Sequence, residues 1–184
     1  LGVKFRTDVD GFVTGVRFYK GSGNTGTHVG NLWNTSGQQL ATAVFAGESA
    51  SGWQQVNFGF PVPVTAGTVY VASYHAPNGH YAGDNGFFAS AGVDNGPVHL
   101  LRDGISGGNG VYVYSPVSSF PIQSFNATNY WVDVVFATSV PPDTTPPAVA
   151  SRSPESGATG VGVTAAVTAT FNEPVNPASV TTAT

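Results

Sequence analysis

FVTGVRFY, residues 12–19, is the stretch on which the fold class turns. Phe12, Val16 and Phe18 fall on one face of an extended chain, with Val13, Arg17 and Tyr19 opposite. A two-residue period is that of a β-strand, because successive Cβ atoms point to opposite faces. Asp10-Gly11, just before it, is a turn signal. Residues 1–6 then read as a second strand, a hairpin partner joined through that turn.

Outward from there the same period recurs. Val56, Phe58 and Phe60 alternate with Gln55, Asn57 and Gly59, and Val69 and Val71 with Tyr70 and Ala72. Tyr130, Val132, Val134 and Phe136 alternate with Trp131, Asp133, Val135 and Ala137. Further strands are expected at 28–34, 39–45, 85–89, 97–101 and 110–114. Ser36-Gly37, Ala66-Gly67, Asn78-Gly79, Asn95-Gly96 and Asp103-Gly104 supply turns between them. No helical period survives three turns. Many short, evenly spaced strands predict an all-β, antiparallel two-sheet sandwich of jelly-roll type over residues 1–138.

Composition fits that reading. Val, Phe, Tyr, Thr and Ser abound, with 24 Gly and 13 Pro for turns, and only 9% of residues are charged. A formal net charge of -4 disfavours nucleic acid as a partner, which needs a basic face. No run approaches the roughly 18 apolar residues of a membrane helix, so no membrane insertion is expected. With no Cys there are no disulfides and no thiolate metal sites. The chain starts at Leu1 and holds no Met, which reads as a processed or excised fragment.

Residues 139–147, SVPPDTTPP, form a linker whose four prolines favour stiff, extended backbone. Residues 148–184 alternate again, but are too few for a whole sandwich. Two stretches carry family resemblances. LGVKFRTDVDGFVTGVRFYKGSGNTGTHVGNLW, SGWQQVNF and VTAGTVYVASYHAPNGHYAGDNGFF make residues 1–138 resemble the bacterial domain of unknown function 4082 family. That resemblance implies a secreted module accompanying hydrolase, Ig-like or repeat domains, with no established activity. DTTPPAVASRSPESGATGVGVTAAVTATFNEPVNPASVTTAT makes residues 143–184 resemble the start of a bacterial Ig-like domain, a spacer in cell-surface and secreted proteins. An extracellular or cell-surface location is therefore expected.

The most unusual segment for chemistry is Ser73-Tyr74-His75-Ala76-Pro77-Asn78-Gly79-His80-Tyr81. Aromatic rings stack on the apolar faces of sugars, and Asn and His hydrogen-bond hydroxyls. Tyr74, His75, Asn78, His80 and Tyr81 are thus candidate ligand residues, with Trp33 near Asn31 and Asn34 as a second platform. The competing reading is a hairpin tip whose aromatics cap the sandwich. His28, His75 and His80 are weighed as a transition-metal site, but their spacing matches no recurrent ligand pattern. Calcium takes carboxylates and carbonyls. Asp8, Asp10 and Asp133 are the candidate ligands of a structural calcium between first and last strands, with Asp84, Asp94 and Asp103 as further turn acids and Asp143 as a linker ligand. The alternative is that these are solvated turn acids. Lys4, Arg6 and Arg17 form one basic face if the first two strands pair, suited to an anionic glycan or simply to solubility.

Catalytic signals are missing. No Gly-x-Ser-x-Gly elbow, His-Glu-x-x-His or phosphate loop occurs, and Glu48 is the only Glu before the linker. The expectation is a non-catalytic accessory module binding a polysaccharide or other glycan. The alternative is a structural module assembling with other protein chains into a fibre, adhesin stalk or surface layer.

Overall fold

The computed structural model describes residues 1–140, 146–173 and 175. Asp143 and most of the proline-rich linker lie outside the described residues. The chain divides into two compact units, Leu1–Val140 and Pro141–Thr184.

The first unit is built from strands β1 (Gly2–Thr7), β2 (Gly11–Lys20), β3 (Val29–Asn34), β4 (Gln39–Val44), β5 (Gly52–Val64), β6 (Tyr70–His75), β7 (Val93–Asn95), β8 (Val98–Leu100), β9 (Val111–Tyr112), β10 (Gln123–Ser124) and β11 (Val132–Ala137). The larger sheet runs β10-β9-β1-β6-β3-β4, and β8 pairs with both β1 and β7. The smaller runs β11-β2-β5. Every pairing is antiparallel. All-β architecture is what the sequence leads one to expect.

Three details differ from expectation. First, β1 does not pair with β2. β1 lies in the larger sheet beside β6, and residues 8–10 carry the chain across to the smaller sheet. Asp10 Oδ1 accepts the Ala66 N–H at 2.8 Å, tying that crossing down. Lys4 and Arg6 therefore share no face with Arg17. Second, the alternation in β2 breaks. Against β11 Thr14 is one extra residue, and this bulge inverts the phase; on the other side the register with β5 breaks at the same place, with residues 58–61 of β5 against Thr14. Val13, not Phe12, joins Val16 and Phe18 in the core. Third, residues 85–89 form turns rather than a strand, although Phe88 is fully buried. β5 also runs on through Pro61 and Pro63, tolerated because it is an edge strand whose missing N–H groups cost no central ladder.

The core fills the space between sheets. Val3, Phe5, Leu32, Ala72 and Tyr74 meet Val13, Val16, Phe18, Phe58, Val132 and Val134. Tyr74 stacks on Phe18 with centroids 4.0 Å apart and planes 13° apart. An aromatic pair of this kind adds about 0.5–1.5 kcal/mol beyond its burial. Gly30 permits the sheets' close approach. A Cβ there would lie 2.3 Å from Val16 Cγ2.

β6 is buried on both faces, because residues 113–122 strap across the outer face of the larger sheet. His75 Nε2 lies 3.2 Å from the Ser115 carbonyl, Asn31 donates to Ser118 Oγ at 2.7 Å, and Phe120 packs on Trp33. A second small core of Trp33, Val71 and Val111 forms beneath it.

In the second unit β12 (Val149–Ser153) pairs antiparallel with β13 (Thr168–Phe171). Among the described residues no helix is long and apolar enough to cross a membrane.

Candidate functional site

Among the described residues no strap covers the outer face of the smaller sheet. Its side chains follow from register. Arg17 stands opposite Gln55 and Asp133, and Tyr19 opposite Trp53. Val16 and Phe18 point inward, so Arg17 and Tyr19 point out. Trp53, Tyr19 and Phe87 remain 47%, 41% and 39% exposed. Contiguous apolar exposure of this kind marks binding surfaces more often than scattered single residues do.

Trp131 completes the group, and its backbone is unusual. Its φ is 53°, in the left-handed region that a bulky side chain rarely enters. Such a conformation costs on the order of 1–3 kcal/mol and persists only where neighbours enforce it. Three hydrogen bonds do so here. Asn129 Oδ1 accepts the Trp131 N–H at 2.8 Å, the Trp131 carbonyl accepts the Tyr19 N–H at 2.9 Å, and the indole Nε1 donates to Asp84 Oδ2 at 2.8 Å. The ring is thereby fixed 6.3 Å from Trp53 and 5.7 Å from Phe87. Tyr19 packs edge-on to Trp53 at 5.9 Å, and the Arg17 guanidinium sits 5.4 Å from the Trp53 ring.

Trp53, Phe87 and Trp131 line a groove of about 370 Å³ between β11 and the β7–β8 hairpin. Asn95, Pro97 and Val98 form the hairpin wall, and Arg17 and Asp133 lie at the other side. Among the described residues the charged ones that line the groove, Arg17 and Asp133, pair with each other. The second Asp133 oxygen accepts the Val134 N–H at 2.8 Å. The groove therefore offers aromatic faces and amide groups with no net charge of its own.

The residues singled out from the sequence are dispersed. Trp33 is buried, its Nε1 bonded to Ser73 Oγ at 2.8 Å, and is no exposed platform. The cause is the strap, which local sequence does not announce. Tyr74 is buried in the core, and desolvation pushes its phenol up. His75 and Tyr81 line a second, smaller cleft of about 170 Å³. Asn78 is exposed and donates to Thr25 Oγ1 at 3.1 Å. His80 is exposed, with a φ of 54°.

Nor are the metal candidates brought together. Asp8 Oδ2 binds His99 Nε2 at 2.5 Å, and Asp94 Oδ1 binds His99 Nδ1 at 2.6 Å. Asp10 immediately precedes β2, while Asp133 pairs with Arg17 seven residues along, a separation of roughly 23 Å at strand rise. Asp84 holds Trp131, and Asp103 accepts the Asn109 N–H at 2.7 Å. His28 is fully buried. Its Nδ1 faces Glu48 at 2.8 Å and its Nε2 faces Asn24 Oδ1 at 2.9 Å. Lys20 completes that network by donating to Glu48 at 2.7 Å. Among the described residues no three His, Asp or Glu side chains are grouped to hold a metal ion.

The Trp131 groove had a sequence signal. In the alternation of residues 130–137, Trp131 and Asp133 fall opposite the apolar face, as Tyr19 and Arg17 do in theirs.

A family model described as domain of unknown function (DUF4082) matches residues 1–132, and one described as bacterial Ig-like domain matches residues 143–184. Neither is a catalytic family. No curated protein matches the chain.

Proposed function

Because the chain belongs to the DUF4082 family and continues into a bacterial Ig-like segment, we propose that it is a non-catalytic accessory module of a secreted or surface protein. On this reading it holds a neutral polysaccharide in the Trp53–Trp131 groove. The observation that carries the reading is Trp131, kept in a strained backbone and bonded at N–H, C=O and Nε1 so that its ring borders an open groove.

The chemistry follows from the lining. Sugar rings present C–H faces to indoles and hydroxyls to amides. Asn95 supplies such an amide, and the Arg17–Asp133 pair cancels its own charge. A uronate or sulfate would have to break that pair or stay uncompensated in the groove. Asp84, behind Trp131, adds further negative charge against it. The groove itself needs no calcium on this reading, since its carboxylate, Asp133, is taken up by Arg17 and the Val134 N–H.

Native electrophoresis through gels containing neutral polysaccharides tests the proposal. The wild type should be retarded by at least one, and Trp131→Ala and Trp53→Ala should migrate freely. Folded protein that no polysaccharide retards would overturn the glycan reading and favour assembly with other protein chains.

A further inference from the structure

We infer that the cleft beside the strap is a second sugar site, built for one neutral ring, which makes the module bivalent. The inference rests on the carbohydrate reading but not on the Trp131 groove. The two sites share no lining residue.

The cleft opens where β6 leaves its sheet at His75 and the strap crosses over it. Its volume of about 170 Å³ is less than half the groove's 370 Å³, which suits a single ring better than a chain. Tyr81, Tyr112 and Tyr114 form its aromatic side, with Tyr112 and Tyr114 edge-on at 5.5 Å. Tyr114 is 80% exposed, so its ring is open to a ligand at the rim. Ser115 and Ser119 supply hydroxyls opposite, 2.9 Å apart and able to exchange donor and acceptor roles. Among the described residues, no Asp, Glu, Lys or Arg side chain lines the cleft. Aromatic faces, rotatable hydroxyls and the absence of charged side chains from the lining fit a neutral sugar and disfavour an ion.

Tyr81 and Tyr114 support each other. The Tyr114 phenol beside it, with burial, raises the Tyr81 phenol above its ordinary value. Tyr130 packs edge-on to Tyr81 at 5.5 Å, and burial pushes its phenol up to about 12. Tyr81 and Tyr130 stay uncharged across the physiological range.

The test is amide chemical-shift mapping of the full chain with two kinds of probe. One is glucose, mannose and N-acetylglucosamine; the other is neutral β-1,4-glucan, β-1,3-glucan and β-1,4-mannan hexasaccharides. At least one monosaccharide should shift Tyr114, Ser115 and Ser119, in wild type and in Trp131→Ala alike. Tyr114→Ala should weaken those shifts about tenfold in affinity while the hexasaccharide response at Trp53 and Trp131 persists. Ile122→Ala, on the same strap but outside the cleft, should change neither. Hexasaccharide shifts confined to the groove, with the cleft silent, would overturn the second site and leave the groove standing. Cleft shifts with a silent groove would do the reverse. No response to any probe would overturn both.

Discussion

Trp33 and Trp53 both sit on outward faces of their sheets, and their fates differ completely. Trp33 is 6% exposed and Trp53 is 47% exposed. The larger sheet is roofed by residues 113–122, which bring Phe120 onto Trp33 and Ser118 onto Asn31. The smaller sheet has no such roof among the described residues. The same residue type thus serves as core in one place and as surface in the other, and the deciding contact comes from more than eighty residues away in sequence. Burial of a strand's second face is a non-local event.

Substitution of the two tryptophans breaks this comparison most sharply. Trp33→Ala should cost about 3–5 kcal/mol, the price of a large buried side chain plus its cavity. Trp53→Ala should cost about 1 kcal/mol or less, since half its surface is already wet. Urea denaturation reads both. Equal losses would contradict the roofed-versus-open distinction.

The buried and the surface ion clusters form the next contrast. Burial alone would raise Glu48, but hydrogen bonds from Lys20 and His28 outweigh it and hold the carboxyl below its usual range. A depressed carboxyl contributes stability above the ordinary value near 4.5 and loses it as pH falls through the folded value. Glu48→Gln should therefore cost about 1–3 kcal/mol at neutral pH and much less in acid. Urea midpoints of the two proteins between pH 7 and pH 3 should converge.

Removing part of the roof should have a smaller effect. Phe120 is half-buried, so Phe120→Ala should cost about 1 kcal/mol. It should also open Trp33 to acrylamide quenching, read most simply in a background where Trp53 and Trp131 are Phe. Unchanged quenching would show that Phe120 is not what shields Trp33.

His99 gives the smallest effect. Hydrogen bonds to Asp94 and Asp8 raise it above its ordinary value near 6.5. A raised base contributes stability that is fully present below that ordinary value and is lost as pH rises through the folded value. His99→Gln should lower the melting temperature slightly at pH 5.5 and not at pH 9. A difference that persisted at pH 9 would assign His99 a packing role instead.

The strands were legible because alternation is written locally. Tyr130, Val132 and Val134 face the core as their period requires. The hairpin between β1 and β2 was not legible, because Asp10-Gly11 signals a turn without saying which sheet the chain enters next. The bulge at Thr14 was hidden too, since it shows only in the register against β11 and β5. The expected ligand segment at residues 73–81 is partly core, because Tyr74 obeys the strand's inward phase and stacks on Phe18. Trp131 escaped notice for the opposite reason. Its outward phase was readable, but its left-handed backbone and its three fixing hydrogen bonds depend on Asn129, Tyr19 and Asp84 meeting in space.

The central claim is that the open tryptophans, and not the roofed one, meet the ligand. Tryptophan fluorescence during titration with soluble neutral polysaccharides tests it most directly, in wild type, Trp33→Phe and Trp131→Phe. Wild type and Trp33→Phe should give a saturable change, and Trp131→Phe should lose much of its affinity. Undiminished binding by Trp131→Phe, or a signal that vanishes only in Trp33→Phe, would contradict it.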